Sequence, residues 1–253
     1  MRPDAPVHWH DVIDSTNEEA RRLTQSGSTG PLWIAARQQT AGRGRLGRSW
    51  VSPVGNLFAT ALFEESGGFK VATRHPFASG LAIADMCRAL LPEVDIRLKW
   101  PNDVRVDGAK LCGILVEAGT SSDGATWVAS GMGVNIAFAP EGAGQAATCL
   151  AELGGAVTLS PDLVLEVLRP AFAKRVAQAR EDFAATLLDW ELVAEGIGQT
   201  VVSGKDDKAV RGIFTGLAED GGLRLALPDG SEHIIRAGDV ELVKEIGSDA
   251  ARN

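Results

Sequence analysis

Residues 96–117, IRLKWPNDVRVDGAKLCGILVE, decide how the chain folds. Residues 96–100 alternate apolar and charged side chains, the pattern of a half-exposed strand. Pro101-Asn102-Asp103 reads as a turn, Val104–Val106 as a short strand, Asp107-Gly108 as a tight hairpin turn and Leu111–Glu117 as the return strand. The chain therefore folds back on itself here as an antiparallel ladder.

The same reading extends outward in both directions. Downstream, Ser121-Ser122-Asp123-Gly124 closes another hairpin into a strand over 126–136. Upstream, 57–63 reads as a strand and 76–91 as a helix with one apolar face. Residues 32–37 are mostly apolar and predict a strand buried on both faces. Residues 7–13 predict a first short strand. Ser15 followed by Glu18 has capping-box form, and the helix it opens stops near Gln25. From Ser160-Pro161 to about Glu195 the pattern is helical, with Pro170 expected to kink or divide it. The expected architecture is α+β: a mixed β-sheet flanked by helices over residues 1–196. From Gly196 onward, turn signals recur every 8–12 residues, which predicts a small β-barrel of five or six strands over 197–247.

The whole chain has 253 residues, 45% hydrophobic and 23% charged, which excludes a disordered or fibrous protein. Its formal net charge of −8 disfavours general binding to a phosphate backbone, so no nucleic-acid partner is expected. No run approaches a membrane-spanning length, and the N-terminus leads into no apolar segment, so a cytoplasmic location is the default expectation. Cys87, Cys112 and Cys149 match no zinc or redox spacing and are expected as reduced core residues. His8, His10, His75 and His233 lack metal-site spacing.

Against that acidic background stands GRGRLGR, residues 42–48, which fits neither a helix nor a strand. Arginine offers a planar fork of donors matched to phosphate and carboxylate oxygens. Glycine lets the backbone approach a ligand. The alternation predicts a flap that settles on an anionic ligand and lacks order without one. It is not a Walker loop, and Gly131-Met132-Gly133-Val134-Asn135-Ile136 is not a dinucleotide fingerprint. The hairpin brings Lys110 back toward Asn102-Asp103. There Lys110 would neutralise a phosphate or carboxylate, while Asp103 would either help hold Mg²⁺ or pair with Lys110. With no nucleophile motif evident, cations organising anionic groups are the chemistry the residues suggest.

STN at 15–17, QTAGRGRLGRSW at 39–50, KWPNDV at 99–104, KLCGILVE at 110–117 and GMGVN at 131–135 together resemble the biotin–protein ligase family. The resemblance implies a class II synthetase-like catalytic domain followed by an SH3-like barrel. It implies activation of biotin with ATP and Mg²⁺ to biotinyl-5′-AMP, then transfer to one lysine of a biotin carboxyl carrier domain. Monomer and homodimer both remain open. Carried over by position, Ser15, Thr16, Asn17, Gln39, Gly42, Arg43, Arg45 and Lys110 would contact biotin. Lys110 and Arg45 would be catalytic. Arg43, Arg48, Trp50, Asn102 and Asn135 would lie near the nucleotide, and Asp103 is the candidate for Mg²⁺. Trp100 is expected in the core, and Trp50 either stacks on adenine or packs. Residues 139–147 stand where the family has its adenylate-binding loop. With a first strand starting by residue 7, the DNA-binding domain of the repressor members is not expected. Lipoate ligase, of similar fold and chemistry, is the nearest rival, and a non-catalytic biotin sensor is another; the arginine-glycine loop argues against the former.

Overall fold

The computed structural model describes residues 1–140, 145–154, 159–204 and 209–243. The chain divides into two compact units between Val193 and Ala194.

In the first unit, β1 (Val7–Ile13), β2 (Leu32–Gln39), β3 (Leu57–Glu64), β4 (Ile96–Lys99), β5 (Asp103–Val106), β6 (Ala109–Thr120) and β7 (Thr126–Val134) form one sheet in the order β1-β2-β3-β7-β6-β5-β4. Only β1 and β2 run parallel, so the sheet is mixed, as expected. Alternation along the strands loads both faces. On one face Leu32, Ile34, Leu62 and Ala129 cluster with Ala20 of α1 (Thr16–Gln25). On the other, Trp33 and Phe63 meet Phe172 edge-to-face. Phe172 belongs to α5 (Pro161–Glu181), which packs with α3 (His75–Leu90). Two short helices escaped the sequence reading: α2 (Gly68–Ala72) and α4 (Leu150–Gly154).

Two expectations need correction. Ser15 sits at the N-cap of α1 but its side chain makes no cap hydrogen bond. Glu18, the other half of the expected box, turns outward to the guanidiniums of Arg21 and Arg43. Pro170 does not divide the long helix, which runs through it to Glu181. The proline sits in a helix anchored by buried Leu168, Phe172 and Val176, and that packing outweighs one missing backbone bond. The break falls at Asp182, whose side chain accepts from Ala185 N to open α6 (Phe183–Leu192). Cys87, Cys112 and Cys149 are free and buried.

The second unit is a five-stranded antiparallel sheet of β8 (Thr200–Ser203), β9 (Val210–Leu217), β10 (Leu223–Ala226), β11 (Glu232–Ile235) and β12 (Val240–Leu242), ordered β11-β10-β9-β8-β12. Phe214, Leu217, Leu223, Leu225 and Val240 form its core. Among the described residues no ladder joins β11 to β12, so the small barrel is not closed by hydrogen bonds there.

Candidate functional site

The face of the sheet that α1 partly covers carries most of the motif residues. Thr60 of β3, Gly131 of β7 and Leu115 of β6 lie in one register row, followed by Phe58, Gly133 and Gly113 in the next. The glycines of this patch have a steric purpose. A Cβ at Gly131 would fall 2.1 Å from Asn17 Oδ1. A Cβ at Gly133 would fall 2.5 Å from Trp50 Nε1, and one at Gly113 2.8 Å from Trp50 Cζ3. Gly131 therefore makes the notch that seats Asn17, and Gly113 and Gly133 make a flat bed for the Trp50 ring. The motif reading named these segments but not that use.

Asn17 is held on every side. Its Nδ2 donates to Leu115 O at 3.2 Å and Glu117 Oε2 at 2.8 Å, while the Thr60 hydroxyl stands 2.7 Å from its Oδ1. The same Thr60 hydroxyl is 2.8 Å from Thr16 Oγ1, and Thr16 N and Oγ1 both donate to Gln39 Oε1, at 2.8 and 3.2 Å. Gln39 Nε2 in turn donates to Ser52 Oγ at 3.0 Å. Ser15, Thr16 and Asn17 are all buried. This chain of amides and hydroxyls fixes the orientation of each polar group, as a site for a polar uncharged ring requires.

The flap leaves this network at Gly42, where a Cβ would meet Ser52 Oγ and Trp50 O at 2.5 Å each. Trp50 N donates to Gly42 O at 2.9 Å and Gly44 N to Arg48 O at 2.7 Å, closing a loop whose tip is a 3-10 turn over Arg45–Gly47. Leu46 at the tip has φ of +56° and is exposed. Two of the arginines have partners the sequence reading did not assign. Arg43 Nη2 reaches Glu18 Oε1 at 2.7 Å and Glu117 at 3.0 and 3.1 Å. Arg45 Nη1 donates to Asn102 Oδ1 at 3.0 Å, and Asn102 is held by its own bond from Nδ2 to Ile114 O at 2.8 Å. Arg48 is exposed on the flap.

Lys110 reaches this face through an irregularity. Val104 pairs with Cys112 but Arg105 pairs with Lys110, so Leu111 is an extra residue in β6. Such a bulge reverses the alternation, putting Lys110 on the side of Gly113. Its Cε would lie 3.3 Å from a Cβ placed there, and its Nζ stands 5.2 Å from the centre of the Trp50 ring. Nζ also pairs with Asp103 Oδ1 at 2.6 Å, both side chains being mostly buried. Of the two roles open to Asp103, ion pairing is the one the structure displays. Among the described residues no three His, Cys, Asp or Glu side chains converge as metal ligands.

Asn135, at the end of β7, donates from Nδ2 to Thr148 O at 3.0 Å, and its Oδ1 is buried without a partner among the described residues. Trp50 Nε1 is likewise buried and unpartnered, while Trp100 is buried in the core as expected. Beyond Asn135, Asn56 Oδ1 accepts from the backbone N–H groups of Ile136, Ala137 and Phe138, at 2.9, 3.0 and 3.1 Å. That amide, which no sequence signal revealed, fixes the rim of an apolar cavity of about 180 Å³ lined by Val51, Pro53, Asn56, Phe138, Ala139 and Pro140. Of the expected 139–147 loop, residues 141–144 lie outside the described residues. Ala146 O and Lys110 O form a short parallel bridge to Lys110 N and Thr148 N.

Comparison with known proteins agrees with this geometry. Residues 9–135 match the model of the biotin/lipoate A/B protein ligase family, and residues 196–243 match the biotin protein ligase C-terminal domain. The chain is 38% identical to a biotin–[acetyl-CoA-carboxylase] ligase of Paracoccus denitrificans, over 87% of this chain and 94% of that protein. It is 32% identical to the bifunctional ligase/repressor BirA of Escherichia coli, over 85% of this chain and 67% of BirA. Among solved structures, biotin protein ligase from Aquifex aeolicus in complex with biotin and ATP superposes with a TM-score of 0.79 at 26% identity, covering 95% of this chain and 99% of that one.

Proposed function

The chain belongs to the biotin protein ligase family, and from that premise we propose that it activates biotin with ATP and transfers it to a lysine of a biotin carboxyl carrier domain. The observations that carry this reading are Lys110 Nζ 5.2 Å from the centre of the Trp50 ring, Arg45 on Asn102, and Arg43 on the same Glu117 that holds Asn17 of the Thr16-Asn17-Gln39 network.

In the first step a carboxylate oxygen of biotin attacks the α-phosphorus of ATP, forming the acyl–phosphate bond and expelling pyrophosphate. Both reactants are anions, so positioned cations lower the barrier by holding them together and by stabilising the charge that builds on the equatorial oxygens. Lys110, steadied by Asp103, is the cation assigned to the acyl-phosphate, and Arg43 and Arg45 reach it from the flap. Mg²⁺ enters as the metal complex of ATP, bound chiefly through the phosphates. The Thr16, Asn17 and Gln39 groups are assigned to the ureido ring, with Ser15 and Gly42 at its edge. Trp50, Asn102, Asn135 and Arg48 are assigned to the nucleotide side, where the unpartnered Trp50 Nε1 and Asn135 Oδ1 offer a donor and an acceptor. In the second step the neutral amine of the carrier lysine attacks the acyl carbon, AMP leaves with the bonding electrons, and the amine loses a proton to form the amide. A closed flap keeps water from the mixed anhydride between the steps.

The acceptor is proposed as the carrier domain of acetyl-CoA carboxylase, in line with the name of the Paracoccus relative. Residues 1–196 are assigned the chemistry and the barrel a supporting part. Among the described residues no helix is long and apolar enough to cross a membrane. Pyrophosphate release tests the first step: biotin with MgATP should support it and lipoate should not. Release with lipoate alone would transfer the chain to the rival chemistry, and binding of biotin with no release would make it a sensor.

A further inference from the structure

β6 runs on past Gly113, where its pairing with β5 ends, and among the described residues it is laddered from Ile114 to Thr120 only to β7. Glu117 stands on this stretch, on the same side as Asn17. Its carboxylate takes bonds from two directions. Oε2 accepts from Asn17 Nδ2 at 2.8 Å, and both oxygens accept from Arg43 Nη2, at 3.0 and 3.1 Å. The neighbour of Asn17 on α1, Glu18, grips the same Arg43 nitrogen at 2.7 Å. A single carboxylate thus joins the polar pocket of residues 15–17 to the flap.

We propose that Glu117 is a positioning residue that couples filling of the pocket to closing of the flap. The inference rests on the biotin reading of that pocket. Asn17 Oδ1 is taken up by Thr60, which turns its Nδ2 toward Leu115 O and Glu117. Asn17 is already held by Thr60, Leu115 O and Glu117, so a ligand seated against it adds its contacts to a network whose far end is the Arg43 clasp, and steadies the two ends together. The two glutamates hold Arg43 by Nη2, so the clasp steers the guanidinium and leaves its remaining N–H groups for an anion. An isolated half-exposed ion pair would contribute little, but two carboxylates on one guanidinium, backed by a mostly buried amide, form a network.

Hydrogen exchange of a peptide spanning residues 42–50, with and without biotin, tests the coupling. In the wild type, biotin should slow exchange there by about tenfold, and 1 M KCl should abolish most of that slowing by screening the pairs. Glu117→Gln keeps an acceptor for Asn17 but loses the charge. It should bind biotin about 5- to 10-fold more weakly, show no biotin-induced slowing, and be indifferent to salt. Glu117→Asp, which restores the charge, should recover part of the slowing, and it serves as the second reading if Glu117→Gln melts early. Wild-type slowing and salt response in Glu117→Gln would overturn the coupling. So would a wild type that binds biotin with no change in the flap, and in that case the function reading stands. A wild type that does not bind biotin overturns both.

Discussion

Gly131→Ala is a small change with a large calculated consequence. The added methyl would lie 2.1 Å from Asn17 Oδ1, 2.9 Å from its Cγ and 3.2 Å from its Nδ2. The glycine has no positive φ, so alanine is compatible with the backbone and the effect is purely steric. Strand β7 cannot give way, because Gly131 is paired on both sides, to Thr60 and to Leu115. Asn17 must therefore leave its seat, forfeiting its bonds to Leu115 O, Glu117 and Thr60. At about 1 kcal/mol net for each bond, the loss is about 2–3 kcal/mol, or roughly 30- to 150-fold in an equilibrium constant. The assays are urea unfolding and calorimetric titration with biotin. The unfolding free energy should fall by about that amount and biotin affinity by at least about 30-fold. Gly80→Ala on α3 is the control, since its methyl would meet nothing closer than 3.4 Å. If Gly131→Ala binds biotin within about threefold of wild type, Asn17 does not organise the pocket.

Three further outcomes are expected. Lys110→Ala should lower the rate of adenylate formation by about 100- to 1000-fold while biotin still binds, as measured by pyrophosphate release; turnover near that of the wild type would remove Lys110 from the chemistry. Arg45→Gly cuts the tether to Asn102 and should let adenylate escape, seen as biotin on unrelated bystander proteins; a retained adenylate would count against the flap as a lid. The third concerns the buried Glu65–His75–Arg180 cluster on the opposite face, where His75 Nε2 lies 2.7 Å and Arg180 Nε 2.9 Å from Glu65 Oε2. Burial depresses the His75 pKa below 6.5, despite Glu65 pulling the other way. For Glu65 burial acts upward, yet the bonds from His75, Arg180 and Gly67 N hold it at about 2. Both folded pKa values lie below their unfolded ones, so the unfolded chain binds more protons and stability is lost as pH falls. Urea midpoints should decline below about pH 6.5 and further below about 4.5, with the first decline blunted in His75→Gln; a flat profile from pH 7 to 5 would contradict this.

Alternation and turn chemistry were enough to locate β1, β2, β3 and the hairpins through β7, because those signals are local. Where long-range contacts compete, local signals misled. Ser15 and Glu18 have the spacing of a capping box, yet Glu18 is claimed by arginines from α1 and the flap. Pro170 carries the strongest breaking signal in its helix, yet packing holds the helix through it. The site divides the same way. The arginine-glycine flap announces itself by composition, and Lys110 by its place on the return strand of the hairpin. The Leu111 bulge that turns Lys110 to the correct face is a matter of register between strands, and no pattern in β6 alone reveals it. Glu117 and Asn56 look like ordinary residues in sequence, and their roles arise from partners 74 to 100 and 80 to 82 positions away. The glycines of GMGVN were visible, but their purpose lies in side chains that reach them from α1 and from the flap.

Intact mass spectrometry of a biotin carboxyl carrier domain, incubated with this protein, biotin and MgATP, tests the central claim most directly. The account predicts that the carrier gains one biotinyl group on a single lysine, that the gain needs ATP, and that Lys110→Ala abolishes it on the same timescale. A carrier that emerges unmodified while remaining a substrate for a known biotin ligase would contradict it.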